Sequence, residues 1–275
     1  MKISLIIATY NWPPALDRVL QSVLRQSRRP DEVIVADDGS GPETACLIED
    51  YRTKFPVPLL HSWQEHLGFR AGRSRNLAVA KSTSDYLILL DGDMVLHEHF
   101  VKDHAEFARA GAFVAGVRAK MSPEGAEDFL GAAEHPILQP WDWRLRSKRY
   151  SLRNKLLKSL FSGRRYFAKI RMAQTCNLAL FREDFVRVNG FNEDFLGWGR
   201  EDSELVSRLL NAGVRRRDLR FAAVAYHIHH EGAPRTYLEK NHQIYMSTVK
   251  NRLVRCSNGL ANHLREDTEK VSVEA

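Results

Sequence analysis

Asp91-Gly92-Asp93 follows directly on the apolar run Tyr86-Leu87-Ile88-Leu89-Leu90, and a second acidic cluster, Glu201-Asp202, closes the segment Gly197-Trp198-Gly199-Arg200. Paired carboxylates at the end of a buried strand can hold a divalent cation against a diphosphate. An acidic pair behind a Gly-Trp-Gly turn can supply a general base. Together the two clusters point to metal-assisted group transfer.

Carboxylates can do this only if the fold delivers them to one place, and the first hundred residues have the rhythm of a parallel α/β sheet. Ile3 to Ala8 reads as a strand, Leu16, Val19, Leu20, Val23 and Leu24 recur at helical spacing, and Val33 to Ala36 is a second strand. Asn11 is placed to cap the first helix, with Pro13 and Pro14 where missing amide donors cost least. In open parallel sheets ligands bind beyond the C-terminal strand ends, where Tyr10, Asp38 and the Asp91 to Asp93 cluster would meet. A helix is expected from Gly72 to Lys81, its N-terminal end open to phosphate beside Arg70, Arg73 and Arg75. Further on, Leu178 to Phe181 reads as a strand, Phe185 to Val188 as a helical turn, Asp202 to Ala212 as a helix and Tyr237 to Leu264 as a long helix, before a polar tail from Arg265 to Ala275.

The 275 residues, 44% of them apolar, suffice for a sizeable core. No run of eighteen apolar residues and no leader-like N-terminus is present, so a cytoplasmic location is expected. Cys46, Cys176 and Cys256 are few and widely spaced, which fits reduced thiols. The net charge of +7 is concentrated in residues 143–172, which hold many arginines and lysines and no acidic residue. Leu152, Leu156, Leu157, Leu160 and Phe161 recur there at helical spacing, so a cationic amphipathic helix lying peripherally on an anionic membrane surface is expected. The alternative for this stretch is nucleic-acid binding, with Trp141, Trp143, Tyr150 and Tyr166 as stacking groups. That reading leaves the acidic clusters unexplained, since acidic strand ends repel a phosphate backbone, and nucleic acid is not the expected partner. A nucleotidyltransferase is the other alternative, but the Gly-rich phosphate loop it would use is not evident.

Leu5 to Asn11, Val35 to Ser40, Arg75-Asn76, Asp91-Gly92-Asp93 and Trp198 to Asp202, in this order and spacing, resemble family 2 glycosyltransferases of the GT-A fold. The likeness covers roughly residues 1–232. The later Trp-Gly-x-Glu-Asp element is similar to galactosyltransferases and chondroitin-type polymerases. The resemblance implies an α/β, Rossmann-like, mainly parallel sheet flanked by helices. It implies a single catalytic domain made of a nucleotide-sugar half (1–115), an acceptor half (116–235) and a helical C-terminal extension with a polar tail (236–275).

It further implies an inverting, metal-dependent glycosyltransferase that moves a hexose or N-acetylhexosamine from a nucleotide-diphosphate sugar, with UDP as carrier. The acceptor would be a glycan or lipid-linked glycan, such as lipopolysaccharide or capsule under assembly at the inner face of the cell membrane. Thr9, Tyr10, Asp38, Arg75, Asn76, Asp91 and Gly92 would bind the donor. Asp93 would hold Mn²⁺ or Mg²⁺ together with His230 or His227 from the run Tyr226 to His230. On a strand His227 and His229 point one way and His230 the other, so these imidazoles can share one ion only if the strand ends within the run. Asp202 would be the catalytic base, Glu201 would orient the acceptor, and Trp198 would stack on an apolar sugar face.

Overall fold

The structure is a computed structural model and describes residues 1–163 and 174–264. These residues form ten strands and nine α-helices. The strands are β1 (Ile3–Thr9), β2 (Glu32–Asp37), β3 (Leu59–Trp63), β4 (Tyr86–Asp91), β5 (Met94–Leu96), β6 (Ala112–Ala115), β7 (Arg118–Lys120), β8 (Asn177–Phe181), β9 (Arg215–Asp218) and β10 (Ala225–His227). The helices are α1 (Pro13–Leu24), α2 (Pro42–Arg52), α3 (Ala71–Ala80), α4 (Phe100–Phe107), α5 (Pro123–Gly131), α6 (Lys155–Phe161), α7 (Arg182–Arg187), α8 (Glu201–Asn211) and α9 (Leu238–Lys250).

A seven-stranded sheet has the order β3-β2-β1-β4-β8-β6-β9, and a three-stranded sheet the order β5-β10-β7. In the large sheet β3, β2, β1 and β4 are mutually parallel, β6 and β9 are parallel, and β8 runs antiparallel to both its neighbours. The expected mainly parallel α/β sheet is therefore present, with one reversed strand at its centre. Both faces of the central strands are covered, which is why they read as continuous apolar runs. Ile3, Leu5 and Ile7 pack with Leu16, Val19 and Leu20 of α1 on one face, while Ile6, Leu87 and Leu89 pack with Val79, Leu205 and Leu209 on the other.

Three local expectations differ from the structure. Asn11 does not cap α1, whose N-cap position is Trp12 and which has no side-chain cap. Asn11 adopts a φ of 44° and its Oδ1 instead accepts from the Gly41 N–H at 2.8 Å, tying the β1 turn to the start of α2. The long helix from Tyr237 to Leu264 stops at Lys250, because the chain then turns to dock on the segment after α7. Leu260 N donates to Asn189 O, and a Cβ on Gly259 would lie 2.3 Å from that same oxygen.

The amphipathic helix is short: Asn154 has an extended backbone and caps α6 through the Leu157 N–H, so Leu152 falls outside it. No residue of α6 is buried, and Leu156 and Leu160 are exposed. Several cations of the basic stretch are already paired internally. Arg153 makes a two-pronged pair with buried Asp103, Arg144 contacts Asp128 and Asp142, and Lys158 reaches Glu106. That leaves less free charge for a nucleic acid or a membrane than the sequence suggested. Residues 164–172 of that stretch, and the polar tail 265–275, lie outside the described residues. Among the described residues no helix is long and apolar enough to cross a membrane. All three cysteines are free, Cys46 exposed and Cys176 and Cys256 buried.

Candidate active site

The C-terminal ends of β1, β2 and β4 lie side by side, with Thr9 opposite Asp37 and Ala8 opposite Asp91. Gly92 N donates to Ala8 O at 2.6 Å, and a Cβ on Gly92 would stand 2.9 Å from that oxygen and 3.0 Å from Thr9 Oγ1. Only glycine lets the strand end approach β1 this closely. Tyr10 is exposed and stacks on His66 with ring centres 4.6 Å apart. Asp38 is buried, and its two carboxylate oxygens accept from Gln64 Nε2 at 2.5 Å and the Arg70 N–H at 2.6 Å. Burial raises its proton affinity against those bonds.

Its neighbour Asp37 is held below the usual carboxylate range, because hydrogen bonds from His61 and Ser40 outweigh burial. Asn76 is fully buried and acts as a bracket. Its Oδ1 accepts from Phe191 N, and its Nδ2 donates to Phe191 O and Glu193. With its polar atoms spent in this way it positions α3 and offers nothing to a donor, contrary to the sequence expectation. Arg73 points to Gln64 and Glu193, and the Arg70 side chain to Glu65 O.

Arg75 alone of that trio enters the site. It is 5% exposed, its Nη2 lies 2.5 Å from Asp91 Oδ1, and its guanidinium sits 5.5 Å from the Phe191 ring centre. Burial would weaken its hold on the proton, but the charges of Asp91, Asp202 and Glu201 more than compensate. One cation thus stands among both acidic clusters.

The reversed strand β8 explains how they meet. Asn177 is paired with Leu90, so the residues just before β8, Thr175 and Cys176, arrive at the strand end that carries Asp91. Thr175 then grips Asp202 through its hydroxyl (2.5 Å to Oδ1) and its N–H (3.2 Å to Oδ2). Arg118 on β7 closes the floor, donating to Cys176 Sγ at 2.7 Å and facing the charges of Asp91 and Asp93. Burial, with Asp93 and Asp202 adding to it against Arg75, pushes Asp91 up to about 6. Burial and then Asp202 push Glu201 up to about 7, while its Oε2 accepts from Gly199 N at 2.9 Å. Thr175, Arg118 and the Tyr10 partner His66 were not singled out from the sequence. The only signal for Thr175 was its place ahead of the apolar run, which carries no strand direction.

The small sheet sets the third group. β10 pairs antiparallel with β5 so that His227 lies opposite Met94, and Ile228 N donates to Asp93 O. The strand ends at His227, and the chain past it turns His230 back to the same side. The Nε2 atoms of His227 and His230 lie 3.6 and 3.1 Å from Asp93 Oδ2. Both histidines therefore reach Asp93, whereas His229 stays outside the cluster.

The three ligand atoms fall within 4.8 Å of one another, and Asp93 Oδ1 is buried with no hydrogen-bond partner. His230 Nδ1 donates to Glu231 O at 2.5 Å, which leaves Nε2 as the nitrogen that faces Asp93 and would face an ion. Burial drops His227 to about 4, so it is neutral at neutral pH, whereas the hydrogen bond to Asp93 strengthens the hold of His230 on its proton. One carboxylate and two imidazoles, His230 giving up its Nε2 proton as the ion enters, would fit a divalent transition ion such as Mn²⁺ better than Mg²⁺, which prefers oxygen ligands.

On the open side, Trp198 is 39% exposed, with Arg235 5.7 Å from its ring centre. Gly197 and Gly199 have φ of 66° and 113° and press against Tyr237 and Leu238 at the start of α9. Side chains there would collide, so the turn and α9 form one wall.

The model of N-terminal domain of galactosyltransferase matches residues 159–231. Validoxylamine A glucosyltransferase of Streptomyces hygroscopicus subsp. limoneus is 29% identical over 233 residues, 77% of this chain and 48% of that protein. Chondroitin synthase of Escherichia coli is 26% identical over 254 residues, 82% of this chain and 34% of that protein. The chain thus spans half or less of the length of these relatives. In fold it is similar to S. aureus TarS 1-349 in complex with UDP-GlcNAc, with a TM-score of 0.61 and 18% identity over 96% of this chain and 69% of that one. The model of Glycosyl transferase family 2 matches residues 4–183, which carry β1, β2, β4 and the acidic residues at their ends, and the chain belongs to that family.

Proposed function

We propose that the chain is an inverting, metal-dependent glycosyltransferase that moves a hexose or N-acetylhexosamine from a UDP-sugar to a hydroxyl of a growing surface glycan, in the cytoplasm at the inner face of the membrane. The observation that carries the reading is Arg75, standing among Asp91 on one strand end and Glu201 and Asp202 at the start of α8, so that a donor-side and an acceptor-side carboxylate share one pocket. The names of the relatives, a glucosyltransferase and a chondroitin synthase, and the UDP-GlcNAc in the TarS complex support the class of reaction and donor.

Tyr10 and Thr9 would meet the nucleoside at the β1 end. Asp38, whose oxygens retain further lone pairs, would accept from the base. Asp91, steadied by Arg75, would take the ribose or a bound water, and Gly92 lets the donor lie close to β1. Asp93, His227 and His230 would hold Mn²⁺, which when bound neutralises the departing diphosphate. Asp202, fixed by Thr175, would take the proton from the acceptor hydroxyl as its oxygen forms the bond to the anomeric carbon. The bond from that carbon to the diphosphate oxygen breaks on the opposite face, and the anomeric configuration inverts. Glu201 would orient the acceptor beside Trp198.

Calorimetric titration of UDP with Mn²⁺ present or chelated tests the donor half of the reading. Binding that requires Mn²⁺ and is lost in Asp93→Ala is expected; equal binding in chelator would refute the metal site. Transfer undiminished in Asp202→Asn would refute the base.

A further inference from the structure

We propose that α6 and the β9 edge of the large sheet form a docking surface for an anionic lipid bilayer, with Leu156 and Leu160 entering the acyl boundary while Arg109, Arg215 and Lys155 meet the headgroups. The proposal deepens the placement at the inner face of the membrane in the functional reading, and it depends on no step of the transfer itself.

A short helix is normally held in place by the apolar face it buries. α6 buries none of its residues: Leu156 is 69% exposed, Leu160 49% and Phe161 39%. Its ends hold it instead. Asn154 N donates to Phe221 O at 3.0 Å, and the Asn154 side chain caps the helix. At the far end Ser162 Oγ donates to Arg220 O at 2.9 Å and Gly163 N to Asp218 O at 3.0 Å, and the rings of Phe161 and Phe221 lie 5.7 Å apart. The helix is clamped against the end of β9 and the residues after it, while Leu156 and Leu160, one turn apart on one helix face, meet solvent. Exposed leucines grouped in this way mark an interaction surface.

The clamp also brings α6 beside a group of arginines that the sequence did not single out. β9 is the last strand of the large sheet and carries Arg215 and Arg217. A Cβ on Gly163 would stand 3.7 Å from Arg217 Nη2, so the group begins where α6 ends. Arg217 is engaged with Phe107, donating to its carbonyl and lying 3.9 Å from its ring centre. Burial, and then the like charges of Arg109 and Arg215, loosen its hold on its proton, so the three guanidinium groups share one neighbourhood. Arg109 and Arg215 are exposed, as is Lys155 at the start of α6. Among the described residues none of these three side chains has a hydrogen bond or an ion pair. The nearby acids are taken up by other cations: Asp218 by Arg216, Asp103 by Arg153 and Glu106 by Lys158.

An anionic bilayer presents negative headgroups above apolar chains, which matches cations without acidic partners set around two bare leucines. A nucleic acid would engage the arginines and leave the leucines in water. A second copy of the chain, packed face to face, would bring the same cations together.

The test is sedimentation of the full chain with vesicles of phosphatidylcholine, alone or mixed with phosphatidylglycerol. It compares the parent with Leu156→Gln combined with Leu160→Gln, and with Arg109→Gln combined with Arg215→Gln. All four side chains are exposed, so both double variants should keep the parent's thermal midpoint and UDP affinity. The parent is expected to bind the anionic vesicles about tenfold or more tighter than the neutral ones, and each double variant to lose about fivefold or more of that affinity. Equal binding to the two kinds of vesicle, no binding to either, or an affinity unchanged in either double variant overturns the proposal. So does a dimer in sedimentation equilibrium that the leucine double variant dissociates, because the leucines would then cover a second copy. UDP binding without vesicle binding defeats this proposal alone. Vesicle binding with the expected losses but without UDP binding upholds it and defeats the reading of the reaction.

Discussion

Glu201→Gln is expected to stabilise the protein at pH 8 and to leave it unchanged at pH 4. Burial, followed by the charge of Asp202, holds this carboxyl up at about 7 in the folded chain against an ordinary value of 4.5, with Arg75 and the Gly199 N–H opposing. At pH 4 both the folded and unfolded chains carry the proton, and the parent and variant coincide. As pH rises past 4.5 the unfolded chain ionises first, so the folded state of the parent loses ground until the pH passes about 7. Each pKa unit is worth about 1.4 kcal/mol, so the gap at pH 8 comes to about 3 kcal/mol in favour of the variant.

Glutamine keeps an oxygen for the Gly199 N–H, so the difference reads the charge rather than a lost bond. Urea unfolding followed by tryptophan fluorescence, in chelator so that no cation pulls the proton off, measures it at pH 4, 6 and 8. A difference that does not change with pH, or a variant less stable than the parent at pH 8, would refute the reasoning that these two carboxyls crowd one buried site.

Glu204→Ala should cost about 3–5 kcal/mol, because it strands the guanidinium of Arg208, wholly buried and held at 2.7 Å through both Nε and Nη2. Replacing both residues by methionine should cost less than the single change, as read by urea midpoints. Gly92→Ala should destabilise by about 1–3 kcal/mol and weaken Mn²⁺-dependent UDP binding. Its new methyl would meet a backbone oxygen of β1 that cannot withdraw without breaking the Gly92 to Ala8 hydrogen bond. Unchanged stability and affinity in that variant would show that the strand end tolerates the spacing.

Local runs made much of this fold legible. β1, β2, β4 and α1 stand in the sequence as apolar strands and a helical repeat, and the rule that ligands sit at parallel strand ends pointed to Tyr10, Asp38, Asp91 and Asp93 as neighbours. Helix α3 begins within one residue of its expected start. The continuous helix expected to Leu264 failed because its periodic apolar residues serve two different packing surfaces, α9 on α8 and Leu260 in the core beneath Asn189. Asn76 looked like a donor ligand because its type and neighbour matched a motif, and only its burial shows that the amide is consumed in holding the 189–193 turn.

The sequence by itself determined which residue types stand at the strand ends, where glycine permits close approach, and that two acidic clusters and a histidine run exist. Tertiary structure decided that they form one site. Residues 91 and 202 meet because β8 enters the sheet reversed and brings Thr175 beside Asp91. His227 and His230 both reach Asp93 because β10 takes its register against β5 and then ends. Strand direction and register are choices made between distant segments through hydrogen bonds and shared burial, and an apolar run reads the same in either direction.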